Sequence, residues 1–153
     1  MAKVQAKQID GIAAVSSGDA ILYETYAIFP LPKESGTVAN ATTSSDDYET
    51  KARFLLIRDK FTRTGCVFVG KLYVRGMVSA AGKNGDVRVH NVTNDVQLGV
   101  INFTETAFTL KSVDLSGLPA SGNKEIEVQF RKNTTGTTLT VDLLTVEFAA
   151  QKT

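Results

Sequence analysis

Residues Cys66–Val78, CVFVGKLYVRGMV, alternate with period two: Cys66, Phe68, Gly70, Leu72, Val74, Gly76 and Val78 form one apolar series, and Lys71, Tyr73 and Arg75 fall on the other. Successive side chains of an extended chain point to opposite faces, so this run is a strand with one buried and one wet side. It is the best candidate for a central strand. The pattern recurs outward from it. In residues 124–131 Ile126, Val128 and Phe130 oppose Glu125, Glu127, Gln129 and Arg131. In residues 137–148 Leu139, Val141 and Leu143 lead, then Leu144, Val146 and Phe148, a change of phase that one extra residue causes. A β-bulge near Leu143 and Leu144 is expected.

Further strands are expected over residues 20–29, 51–57, 86–92, 97–103 and 106–113, for a total of about eight. No window places apolar residues at helical spacing over three turns; the nearest, residues 9–21, is broken by Gly11, Gly18 and two serines. Turn signals such as Lys83-Asn84-Gly85-Asp86 and Ser121-Gly122-Asn123 separate the runs. These features predict an all-β fold, an antiparallel β-sandwich of jelly-roll-like kind. Residues 1–18 read as an extended N-terminal arm and residues 19–153 as a single sandwich domain, with a long aperiodic loop at 30–50. A loop of that length inside a compact domain marks an interaction segment.

The 153 residues suit one globular domain. Seventeen Lys+Arg against sixteen Asp+Glu give a net charge of +1 without blocks of like sign, which argues against a nucleic-acid footprint or a polybasic membrane patch. No apolar run approaches the roughly 18–20 residues that span a bilayer, and MAKVQAKQIDGI has no signal-peptide core, so the chain reads as soluble.

The chemical inventory is small. Cys66, the one cysteine, has no intramolecular disulfide partner, and it opens the apolar strand, where a thiol behaves as a small hydrophobe. His90, the one histidine, shares the face of Arg88 and is expected to be solvent-facing or hydrogen-bonded, with no nucleophile motif beside it. Asp46, Asp47 and Glu49 offer hard oxygens but lack a calcium-loop register, and solvated acids are the expectation. Asn-x-Thr triplets at Asn40, Asn91, Asn102 and Asn133 are taken as coincidence in a Thr-rich chain. No catalytic residue, cofactor or metal is assigned, and the chain is not expected to be an enzyme. Sugars stack on aromatic platforms, Trp above all; this chain has no Trp, leaving Tyr23, Tyr26, Tyr48 and Tyr73, with Tyr48 in the loop the best placed.

The opening MAKVQAKQIDG resembles the N-termini of phage tail and fibre components, and Gly65 to Phe148, with GKLYVRGMVSA, SVDLSGLP and TLTVDLLTVEF, resembles the jelly-roll domains of virion appendages and capsid-decorating proteins. The family is that of small structural proteins of tailed-bacteriophage virions. The resemblance implies a virion protein assembled in the host cytoplasm, present in many copies and often trimeric. The most favoured role is capsid decoration (cement) through arm and loop contacts. A tail or fibre component, or a glycan-binding module for host attachment, is the alternative. Expected partners are the chain itself as a homotrimer and other virion proteins, with a host glycan as a further ligand and neither nucleic acid nor membrane. Apolar residues in segments too irregular to build a core need another surface, so Val4, Ile9 and Ile12 of the arm and Leu31, Val38 and Tyr48 of the loop are the candidate partner-binding residues.

Overall fold

The computed structural model describes the backbone of residues 22–29 and the whole of residues 40–153. The expected strands are present: β1 (Leu22–Phe29), β3 (Glu49–Ile57), β4 (Cys66–Val78), β5 (Gly85–Asn91), β6 (Val96–Phe103), β7 (Thr109–Asp114), β8 (Asn123–Lys132) and β9 (Leu139–Lys152). A short strand, β2 (Ala41–Thr43), is additional, and a 3-10 turn (Arg58–Phe61) follows β3. One sheet runs β1-β9-β4-β7, with β2 also on β9; the other runs β3-β8-β5-β6. The protein is an antiparallel β-sandwich.

Its connectivity has a simple logic. The pairings β1 with β9, β3 with β8, β4 with β7 and β5 with β6 are nested, all antiparallel. They describe one long hairpin with its tip between β5 and β6. Winding that hairpin brings β4 onto β9 and β5 onto β8, which completes two sheets. This is jelly-roll connectivity.

The inward series meet between the sheets. Leu72, Val74 and Val78 of β4, Val87 and Val89 of β5, Ile126, Val128 and Phe130 of β8, and Val146 and Phe148 of β9 are fully buried. At one end Phe68 stacks on Phe148 with centroids 5.6 Å apart, and Phe61 from the 3-10 turn packs against Phe68 at 5.0 Å. Cys66 is partly buried against this core.

Two expectations are corrected in detail. The phase change in β9 falls one step before Leu143: Arg75 pairs with Leu143 and Gly76 with Val141, so Asp142 is the unpaired bulge residue. The bulge turns Leu139 and Val141 inward together with Leu144, Val146 and Phe148, all buried. The segment 30–50 is also not one aperiodic loop to its end. Ala41, Thr42 and Thr43 pair with Val141, Thr140 and Leu139, and β3 begins at Glu49. Three residues carry no readable period, and β2 exists because β9 extends past β1 and offers it main-chain groups.

Candidate functional site

The outer face of the β3-β8-β5-β6 sheet carries a continuous set of polar side chains. Period two sends Glu125, Glu127, Gln129 and Arg131 of β8 and Asp86, Arg88 and His90 of β5 outward together. Register then sets Asp86 beside Arg131, Arg88 beside Gln129 and His90 beside Glu127. Opposite charges and hydrogen-bonding pairs meet across the strands, the favourable arrangement for exposed sheet positions.

Tyr48, just ahead of β3, lies at the centre of one end of this face. The Arg88 guanidinium carbon is 3.6 Å from its ring centroid and that of Arg131 is 4.3 Å away. Its hydroxyl donates to Asp86 Oδ2 at 3.4 Å. Asp86 also accepts from Arg131 Nε and Nη2 at 3.1 and 3.0 Å and from Asn102 Nδ2 at 2.8 Å. Burial acts to raise the Asp86 carboxyl, but hydrogen bonds from Asn102, Asn133 and Arg131 outweigh it and hold the group below the usual aspartate range. Burial and the Asp86 charge push the Tyr48 phenol up.

Further along the face, Glu127 accepts from Thr50 Oγ1 at 2.7 Å and from Gln129 and Arg53, while Arg88 Nε donates to Gln129 Oε1 at 2.7 Å. Burial opposes ionisation of Glu127 too, and these donors more than compensate, so its pKa is lowered. Asp86, Glu127 and Gln129 are under 9% exposed. Among the described residues no buried side-chain nitrogen or oxygen lacks a partner, as a polar network packed under its own long side chains requires.

The outer face of the other sheet is different. Glu147, Lys71 and Asp114 form one row across β9, β4 and β7, with Lys71 Nζ 3.3 Å from Asp114 Oδ1 and 5.6 Å from the centre of the Tyr73 ring. Beside this row lies a hollow of about 350 Å3. Farther along, Arg75 pairs with Asp142, and Phe108 and Leu110 are 39% and 61% exposed. Leu110 stands on β7, an edge strand of its sheet.

Of the candidate residues, Tyr48 is placed in the polar network, while Val4, Ile9, Ile12, Leu31 and Val38 lie outside the described residues. His90 is on the outer face with Arg88, its Nε2 3.1 Å from Asp95 Oδ1. The acidic cluster is dispersed: Asp46 pairs with Lys132 at 3.6 Å, and Glu49 accepts from Thr43 and Lys51. No group of three His, Cys, Asp or Glu side chains suited to a metal occurs among the described residues. Asn91 is 1% exposed and bonded to Asn94, and Asn102 and Asn133 serve Asp86, so these three amides have structural work. Sequence reasoning missed the Tyr48–Arg88–Arg131–Asp86 group. The alternation that sets Asp86, Arg88, Gln129 and Arg131 opposite apolar neighbours is its only visible sign.

The class these features define is a jelly-roll β-sandwich with one interlocked polar face. No protein-family model and no curated protein matches the chain. Among solved structures, the latent dimeric PorU of Porphyromonas gingivalis matches with TM-score 0.52 and 15% identity over 88% of this chain and 13% of that one. The chain therefore spans about an eighth of PorU, and the likeness is one of fold. Weaker matches are a carbohydrate-binding module, CBM36, in complex with calcium and xylotriose (TM-score 0.45, 20% identity, 86% of this chain and 93% of that one) and the VP2 subviral particle of infectious bursal disease virus (TM-score 0.46, 9% identity, 92% and 40%).

Proposed function

We propose that this chain is a structural protein of a bacteriophage particle, a decorating subunit that binds neighbours through its N-terminal arm, the 30–50 segment and one edge of the sandwich. The observation that carries this reading is Leu110, 61% exposed on edge strand β7, with Phe108, 39% exposed, just before it. Large apolar side chains on an edge strand suit a contact with another chain. The polar face supports a scaffold role in its turn, because its charged groups are engaged with one another. The motif resemblance of residues 1–11 and 65–148 supplies the virion context. A tail or fibre location serves the same contacts.

Light scattering on the full chain, on a form lacking residues 1–12 and on Leu110→Asp tests the reading. A trimer or other closed oligomer, weakened in both altered forms while the circular dichroism stays β-type, is the expected result. A monomer in all three forms overturns self-assembly.

A further inference from the structure

We propose that the hollow on the outer face of the β1-β9-β4-β7 sheet binds a neutral saccharide unit, with Tyr73 as the stacking platform. Its volume of about 350 Å3 lies at the small end of the roughly 300–1,000 Å3 of ligand sites, which suits a short sugar rather than a large cofactor. Tyr73, Lys71, Asp114, Glu147, Ala149 and Gln151 are among the residues that line it.

The side chains match a pyranose in kind. A sugar ring carries apolar C–H faces and a rim of hydroxyls. Tyr73 presents an aromatic ring, Asp114 and Glu147 accept hydrogen bonds from hydroxyls, and Lys71 and the Gln151 amide donate them. Ala149, with its single methyl, leaves room where a longer side chain on that strand would fill the hollow. All six residues stand on β-strands of one sheet, so the group is held by paired backbone rather than by a loop.

Charge narrows the ligand. Lys71 supplies one positive charge against two carboxylates, Asp114 and Glu147, and the lining therefore carries an excess negative charge that opposes an acidic sugar. Neutral hexoses are favoured. The choice of tyrosine also follows from geometry. The Tyr48 ring is engaged by two guanidinium groups, at 3.6 and 4.3 Å, whereas the Lys71 ammonium stands farther from the Tyr73 ring, at 5.6 Å.

The test is an amide-shift titration of the full, isotope-labelled chain with the methyl glycosides of glucose, galactose and mannose and, separately, with N-acetylneuraminic acid. A neutral glycoside is expected to saturate in the millimolar range, moving signals around Lys71, Tyr73 and Glu147. Tyr73→Ala should weaken it about tenfold, the worth of one aromatic contact, with Tyr48→Ala unchanged. Glu147→Gln, which leaves the aromatic face intact, should also weaken it and covers the case in which Tyr73→Ala misfolds. No saturable shift with any neutral glycoside overturns the proposal, as does equal binding of the acidic sugar or loss in Tyr48→Ala alone. The inference is independent of the assembly reading, since a monomer can bind sugar and an oligomer can fail to.

Discussion

Arg75 and Asp142 form a two-pronged ion pair, Nε to Oδ1 at 2.8 Å and Nη2 to Oδ2 at 2.6 Å, at the point where β4 and β9 slip by one residue. Asp142 is the bulge residue itself, its side chain 10% exposed. A buried carboxylate needs a partner, and the pair anchors the slip to one position. The side-chain bonds to Asp142 raise the Arg75 pKa further, and the guanidinium stays charged.

Deleting Asp142 should harm the protein little more than Asp142→Ala. Without the extra residue β9 alternates regularly, Gly76 still pairs with Val141 and Arg75 with Leu143, and Leu139 and Val141 stay on the face of Leu144 and Val146. Both variants lose the ion pair to Arg75. Urea unfolding should give midpoints close together; a deletion variant far weaker than Asp142→Ala would show that the bulge does more than absorb one extra residue.

Stability should fall in acid through Asp86 and Glu127. Both folded pKa values lie below the ordinary 3.8 and 4.5, so as pH drops the unfolded chain takes up protons first. The contribution is complete above those ordinary values and is lost as pH falls through them toward the folded ones. Melting temperature followed from neutral pH to about pH 3 should decline at the acid end, and the decline should be shallower in Asp86→Asn and Glu127→Gln. Curves parallel to that of the parent chain would contradict it.

Tyr48→Ala should destabilise by about 1–2 kcal/mol, two cation–aromatic contacts at roughly 0.5–1 each. Tyr48→Phe keeps the ring and forfeits only the hydroxyl bond to Asp86, so it should sit much nearer the parent. Chemical denaturation of the pair separates ring from hydroxyl. A Phe variant as weak as Ala would place the stabilisation in the hydrogen bond.

Gly76→Ala should cost about 1–3 kcal/mol by overpacking. A methyl there meets the Thr140 carbonyl oxygen at 3.0 Å and Phe103 and Val141 at 3.3 Å, and the backbone of β9 beside its bulge has little freedom to retreat. Thermal unfolding reads the loss directly; an unchanged melting temperature would mean that the sheets separate there at little cost.

Strand existence and the inward series were legible along the chain, because alternation is local: Leu72, Val74 and Val78, or Ile126, Val128 and Phe130, declare their face without reference to another strand. The presence of a phase slip in β9 was legible for the same reason. Its position was not, since Asp142 is distinguished from Leu143 only by the register against Arg75 and Gly76. β2 left no trace, three residues being too few to show a period. Nor could the chain reveal that Tyr48 meets Arg88 and Arg131, or that Glu147, Lys71 and Asp114 share a row, because those residues come together through main-chain pairing between distant strands. Main-chain hydrogen bonds look alike whatever side chains they carry. The sequence by itself thus determined which residues point inward, while the tertiary structure alone decided which outward residues become neighbours, and so where a ligand or a partner finds a surface.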